Sequence, residues 1–323
     1  MYELLQHSNS FEIIAACEED GEARAFVEQD GRVEISHDSF RAMLREADFD
    51  VLAVGDYFSK RGGLIREALS LGKRIVSDKP ICTSIADLDA IESLCEKSAL
   101  PLGANLVLRD SGTFIRVREL ILSNEIGEIL SIYFNGNHPL QLGRRPQWYF
   151  EEGRHGGTIN DLGVHAFDLI PWITGETWRM VNAARTWNVG RIAPAVGGFQ
   201  EAAQVMMTMA NGCGVLGDLS YLVPDSFSYD FPQYWRFVFT GTTGVIEAAL
   251  NQESIVLYKG GETEARLIEP AHTCAGGYLD SFLREIEGRS GRGDLTTADV
   301  ISATRVALRS QNAADERVTD MLL

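Results

Sequence analysis

Gly72-Lys73-Arg74-Ile75-Val76-Ser77-Asp78-Lys79-Pro80 decides how this 323-residue chain is read. A glycine closes a helix-patterned run over 61–71, a short strand comes next over 74–77, and a charged pair ahead of proline ends it. Upstream, 38–47 reads as a helix, 49–54 as a strand, and Phe11-Glu12-Ile13-Ile14-Ala15-Ala16-Cys17 is strand-like. Downstream, a helix over 84–98 leads into the short strand Leu100-Pro101-Leu102-Gly103-Ala104-Asn105. Strands alternating with helices predict βαβ units and a parallel sheet.

Beyond Arg109 the pattern changes. A helix over 112–124 is succeeded by strands at 129–137, 180–188, 201–209, 213–222, 236–240, 245–249 and 254–259. Short turns between successive strands predict an antiparallel sheet. A glycine-led helix over 156–174 interrupts the first two, and 276–314 reads as a final helical region. The expected fold class is α/β in two domains, 1–105 and 106–323.

Composition narrows the partners. Hydrophobic residues make up 45% and charged residues 23%, with a net charge of −17. So acidic a surface repels nucleic acid and anionic lipid and suits a small-molecule partner. Five scattered cysteines lack the spacing of a disulfide framework or zinc site. No apolar run approaches a membrane span, and the first residues carry no basic signal-peptide region. The expectation is a cytoplasmic protein.

Chemistry concentrates in two places. In Gly156-Gly157-Thr158-Ile159-Asn160-Asp161-Leu162-Gly163-Val164-His165-Ala166-Phe167-Asp168, three polar residues stand at i, i+4 and i+7. On an unbroken α-helix they share one face. His165 is the natural acid/base at neutral pH, and Asp161 one turn earlier would orient its ring, raise its basicity or bind a substrate hydroxyl. Asp168 ranks lower, as a surface carboxylate or a backbone partner. The second place is Lys79, held extended by Pro80 at a strand's carboxyl end, where ligands of open α/β sheets bind. Taken singly, Asp78-Lys79-Pro80 is also an ordinary surface turn and His165 also a structural histidine. His155, Asp161 and His165 match no metal-binding spacing, so no metal is expected.

Glu18 comes after the first strand-like run, where a dinucleotide-binding fold places the acid that binds the adenosine ribose. The glycine fingerprint belongs about 20 residues earlier. Counting back from 18 passes Met1, so the first strand and its glycine loop are expected to be absent, with Met1 to Ser8 as the tail of the first helix. A literal Gly-x-Gly-x-x-Gly at Gly212-Cys213-Gly214-Val215-Leu216-Gly217 sits between strand patterns behind the hairpin dipeptide Asn211-Gly212 and is rejected as a phosphate loop.

Together these residues resemble the Gfo/Idh/MocA oxidoreductases, named for glucose–fructose oxidoreductase and inositol dehydrogenase, over nearly the whole chain. Ala15-Ala16-Cys17-Glu18 is similar to the second strand and its ribose-binding acid. Asp78-Lys79-Pro80 is similar to the family's Glu-Lys-Pro, 103–109 to the crossover out of the first domain, and 156–168 to its glycine-Asp-x-x-x-His signature. The resemblance implies an incomplete Rossmann-like domain followed by a domain built on a large, mostly antiparallel open sheet. It implies a hydride moved between NAD, with NADP as the alternative, and a carbinol carbon of a sugar, cyclitol or polyol. Lys79, Asp161 and His165 would be catalytic. Glu18, Asp78, Lys79, Pro80 and Asn105 would bind the cofactor. Lys79, Arg109, Trp148, Asp161 and His165 would bind substrate, and a homodimer or homotetramer is implied.

The chain departs from the pattern at Asp78, which replaces glutamate, at His155, which stands where a third glycine is common, and at Gly55-Asp56-Tyr57-Phe58-Ser59-Lys60-Arg61, which replaces a Thr-Pro loop. The stretch 137–149, rich in Arg and aromatics, suits either a pocket for a polyol or carboxylate or an interface loop. Two rival readings remain: a non-catalytic sugar- or nucleotide-sensing binding protein, the expectation if the glycine loop is absent, and an NAD-assisted glycoside hydrolase, which the resemblance implies as an alternative.

Overall fold

The structure, a computed structural model, describes residues 2–190 and 198–323. Its strands are β1 (Val51–Val54), β2 (Arg74–Ser77), β3 (Leu102–Ala104), β4 (Ile129–Pro139), β5 (Trp178–Trp187), β6 (Ala202–Met209), β7 (Gly214–Val223), β8 (Arg236–Gly241), β9 (Gly244–Ala249), β10 (Ile255–Lys259), β11 (Arg266–Ile268) and β12 (Met321–Leu322). Among the described residues they form two sheets.

The first sheet is β1-β2-β3, parallel throughout, with Val51 opposite Arg74 and Ile75 opposite Leu102. Ile75 on the central strand and Leu102 on β3 are fully buried, as a helix-covered parallel sheet requires. The covering helices Phe58–Ser70 and Ile85–Ser98 pack on each other. Ser84 starts the second of them by accepting the Asp87 backbone N–H at 3.1 Å.

The second sheet runs β11-β10-β9-β8-β4-β7-β6-β5-β12. It is antiparallel except where β4 lies parallel to β7. The glycine pattern at 212–217 is the β6–β7 hairpin. Gly212 takes φ 89°, and the Asn211 side chain accepts the Cys213 N–H at 2.9 Å.

Several expectations need correction. Residues 11–17 form no ladder strand; Cys17 makes an isolated parallel bridge to His37, and Ile14 is exposed. Alternating apolarity suits a strand, but pairing defines one, and the run's hydrogen bonds to 36–37 centre on Ala16. Residues 21–30, unassigned from sequence, form a helix capped by Asp20, whose carboxylate accepts the Glu22 and Ala23 N–H groups. The helical region at 276–314 is two helices, Gly277–Ile286 and Thr297–Glu316. Gly288 and Gly293, both at positive φ, break it, and a Thr296/Asp299 capping box restarts it. A short helix spans Tyr2–Gln6; Met1 lies outside the described residues. All five cysteines are unpaired thiols. Among the described residues no helix is long and apolar enough to cross a membrane.

The long helix Thr297–Glu316 packs against Ile85–Ser98, Val164–Thr174 and β5. It thereby holds the glycine-led segment of the second half against the helical layer of the first.

Candidate active site

Gly156 and Gly157 sit at φ 78° and 96°. A Cβ at Gly156 would lie 2.3 Å from Thr83, and one at Gly157 would lie 2.2 Å from Gln311. Both positions therefore need glycine for backbone conformation and for space. Gln311 reaches from the final long helix to accept the Ile159 N–H at 2.9 Å.

Past these glycines the chain departs from the unbroken α-helix expected from sequence. Ile159–Gly163 is a π turn, and Val164–Thr174 continues as α-helix. A π turn widens the spacing and breaks the 3.6-residue register, and such turns recur at functional sites. Asp161 and His165 line a common cavity, whereas Asp168 points elsewhere. Asp168 receives a buried bidentate pair from Arg109, at 2.8 Å to Nε and 2.6 Å to Nη2. Arg109, expected to contact substrate, is thereby removed from the Lys79 cavity and lines a separate pocket with Trp172 and Tyr278. Its planar fork matches the carboxylate of Asp168, which the sequence gives no way of foreseeing.

The main cavity, about 410 Å³, lies between the carboxyl ends of β1 and β2 and the large sheet. Lys79 enters from the first side. Its Nζ is 2.7 Å from Asp161 Oδ1 and 3.1 Å from the Asp161 carbonyl oxygen. Its backbone N–H is held by Asp78 Oδ1 and by Asn105 Oδ1, at 2.8 and 2.9 Å, and the Lys79-Pro80 peptide is cis. Beneath it the buried Arg61 donates to the carbonyls of Asp56, Lys79 and Pro80 and pairs with Asp78 at 3.1 Å. Five donors in a rigid fork thus set the loop that presents Lys79.

Asp161 is 2% exposed. Its Oδ2 accepts the Tyr149 hydroxyl at 2.5 Å and also the Tyr221 hydroxyl. His155 Nε2 lies 3.4 Å away. Burial would raise the carboxyl's pKa, but Lys79 and His155 reverse this and hold it well below the usual carboxylate range. Burial, reinforced by the Asp161 charge, pushes both tyrosines well above their ordinary value. They therefore remain donors to a carboxylate that stays ionised.

His165 lines the same cavity, against the edge of Trp235. Burial first, then the charge of Lys79 and the neighbouring His138, hold its pKa well below the ordinary histidine value. Both effects favour the neutral ring, which keeps a lone pair open to a proton. Of the three roles open to Asp161, orienting this ring is not the one its contacts serve: its carboxylate meets Lys79, the two tyrosines and His155. The Nδ1 of His165 is buried and finds no partner among the described residues. His138 is buried too. Its Nδ1 lies 3.0 Å from the Gly136 carbonyl and its Nε2 3.0 Å from the Tyr234 hydroxyl, and burial pushes its pKa down to about 3.

Trp148 reaches the cavity as expected, stacked edgewise on Phe58 at 5.0 Å. Pro80 supports the site through its carbonyl. Glu18 does not line the cavity, and its carboxylate accepts the Asp20 N–H at 2.8 Å. Its neighbour Glu19 binds Lys60, which also pairs with Asp56 after β1, so the Glu18 loop lies at the carboxyl end of the sheet. Sequence reasoning did not single out Arg61, His138, Tyr149 and Tyr221 as site residues. Arg61, His138 and Tyr149 stood within stretches that it did mark, whereas Tyr221 arrives from a strand whose inward face alternation alone would have suggested.

Both halves of the chain are similar to known proteins. A family model described as "Oxidoreductase family, NAD-binding Rossmann fold" matches residues 1–106, and one described as "GFO/IDH/MocA C-terminal domain" matches 114–247. D-apiose dehydrogenase of Rhizobium rhizogenes is 24% identical over 211 residues, which are 65% of this chain and 58% of that protein. The chain thus spans a little over half the length of that relative. A solved structure from Thermotoga maritima is 26% identical and superposes with a TM-score of 0.86 over 100% of this chain and 96% of that one. An inositol dehydrogenase homolog from Azotobacter vinelandii, solved with NAD+, shares the fold at 16% identity and TM-score 0.78, over 95% and 89% of the two chains.

Proposed function

Because the chain belongs to the Gfo/Idh/MocA oxidoreductase family, we propose that it is a dehydrogenase of sugars, cyclitols or polyols that uses NAD. The observation that carries the reading is the convergence of Lys79, Asp161 and His165, from two different halves of the chain, on one cavity.

The site's residues fit a nicotinamide at the carboxyl ends of β1 and β2. Gly55 presents no side chain there, and a Cβ built on it would meet open space. Asp78, Lys79, Pro80 and Asn105 surround that end, and Glu18 lies in a loop at the same end, where its carboxylate would favour NAD over NADP by repelling a 2′-phosphate. We assign cofactor binding to residues 1–105 and substrate binding and assembly to 106–323. When bound, the nicotinamide accepts or supplies the hydride.

The protein's own part is to bind and deprotonate. The Lys79 ammonium and Asp161 carboxylate grip the reacting hydroxyl, and neutral His165 takes its proton. Tyr149 and Tyr221 keep Asp161 charged and aimed. Desolvation of the cavity walls strengthens each of these interactions.

Exposed apolar residues on the large sheet, Leu130, Met206, Leu216 and Tyr258 among them, support assembly into a homodimer or homotetramer of a cytoplasmic enzyme. Light scattering on the purified protein measures that state. The catalytic reading is tested by following NADH formation with a panel of polyols. His165→Ala is expected to lose turnover far more than NAD affinity, and an equal loss of both overturns its role as acid/base.

A further inference from the structure

The charges around the cavity do not balance. Arg61 pairs with Asp78 at 3.1 Å and Lys79 with Asp161 at 2.7 Å. His138 and His165 are held neutral. The remaining charge is Arg145, which also lines the cavity and has no carboxylate within ion-pair distance among the described residues.

Arg145 is nonetheless fixed. Its Nε donates to the Leu140 carbonyl at 2.7 Å, and its Nη2 makes long contacts of 3.4 Å to the Pro139 carbonyl and 3.5 Å to the Tyr229 hydroxyl. The guanidinium stacks 4.4 Å from the Tyr149 ring centroid and 5.6 Å from that of Tyr221. Its Nη1 makes no hydrogen bond among the described residues. Arg145 is half-buried, and a partly desolvated cation gains from an anion that meets it. Here two aromatic faces and a backbone carbonyl hold it in place, with donor capacity left over.

We propose that the substrate carries a carboxylate, and that Arg145 is the residue that binds it: the site takes a sugar acid rather than a neutral sugar. The inference rests on the dehydrogenase reading for the identity of the site. It adds a specificity-determining residue and a substrate class. A planar guanidinium with free Nη1 hydrogens matches one carboxylate. A single unpaired cation balances a single negative charge, whereas a phosphoryl dianion would leave the cavity net negative. The tyrosine rings hold the guanidinium plane as the carboxylate docks, and Lys79, Asp161 and His165 act on a hydroxyl elsewhere in the same molecule.

The test compares matched ligands on the full chain: glucuronate, galacturonate and gluconate against glucose and galactose, with glucose 6-phosphate as the phosphoryl control. Binding is read from intrinsic tryptophan fluorescence without cofactor, and turnover from NADH formation. Acids are expected to bind and turn over about 10- to 100-fold better than their neutral counterparts, the range of a charge-assisted pair. Arg145→Gln is expected to cut that preference by the same factor, while Arg145→Lys retains part of it. Circular dichroism establishes that both variants fold.

Acids binding no better than neutral sugars overturns the inference and leaves the dehydrogenase reading standing. Preference for glucose 6-phosphate assigns Arg145 to a phosphoryl group and overturns the carboxylate. An Arg145→Gln variant that loses NAD affinity with its acid preference intact assigns it to the cofactor and overturns the inference too. Arg145-dependent binding of acids with no NADH formed from any substrate overturns the dehydrogenase reading and keeps the inference.

Discussion

Two buried ion pairs grow from one helical segment, and they differ in kind. Lys79–Asp161 opens on a cavity, and its carboxylate also takes two tyrosine hydroxyls. Arg109–Asp168 is closed: a bidentate pair whose carboxylate is 1% exposed in its side chain, with further contacts from Arg109 to the Asp294 carbonyl and the Asp299 carboxylate. The two aspartates lie about two turns apart on it and are chemically the same. What separates them is the partner and the surroundings. A lysine offers a compact charge that can be shared with an incoming hydroxyl. An arginine fork occupies both oxygens of its carboxylate and leaves nothing for a ligand.

The comparison predicts opposite phenotypes. Lys79→Met should lower kcat/KM at least about 100-fold, the low end of what positioned proton-transfer groups supply. Steady-state NADH formation measures it, and a loss smaller than about fivefold would break the distinction at its stronger end. Arg109→Ala should instead cost about 3–5 kcal/mol of stability, because it leaves Asp168 buried and unpaired. Urea titration measures that loss, and turnover per folded molecule should fall far less than for Lys79→Met.

A third test uses pH. His138, held near 3 by burial, resists the proton that the unfolded chain takes up below about 6.5. The unfolded state then binds more protons, so stability falls as pH drops. From about pH 7 to about pH 5 one such histidine removes about 2 kcal/mol. His138→Gln should flatten that decline by this amount in paired urea titrations. Asp161 acts in a different range: with its folded pKa depressed, the stability it contributes is complete above the unfolded value and is lost only as pH falls below about 4. The smallest effect belongs to Tyr221→Phe. It removes one donor to Asp161, costs about 1–2 kcal/mol in kcat/KM, and moves the acid limb of the pH–rate profile upward. A limb that stays in place would mean that Tyr221 packs without tuning the carboxylate.

Much of this was legible in the chain itself. Strand–helix alternation placed β1 to β3, and period-two runs placed β4 to β10, because each signal is local. Lys79, Asp161, His165 and Trp148 stood out for the same reason: residue type and position within an element suffice to nominate them. The π turn did not, since one widened turn leaves the apolar pattern intact while swinging Asp168 away from Asp161. Nor did the Arg109–Asp168 pair, or the union of Tyr149 and Tyr221 around one carboxylate. These contacts join residues 12 to 60 positions apart and are made by tertiary packing. Residues 11–17 erred the other way, with strand-like character but no ladder partner among the described residues.

Lys79 is anchored to the first sheet by Asn105 and Asp78, and Asp161 is anchored to the second half by Gly156, Gly157 and Gln311. Their 2.7 Å contact therefore works as a strain gauge between the two halves. A rigid-body displacement of about an ångström at this seam stretches the pair past hydrogen-bond length. Chemical competence is thus tied to mechanical seating, and a substitution far along the final helix, at Gln311, is felt at the reacting atoms.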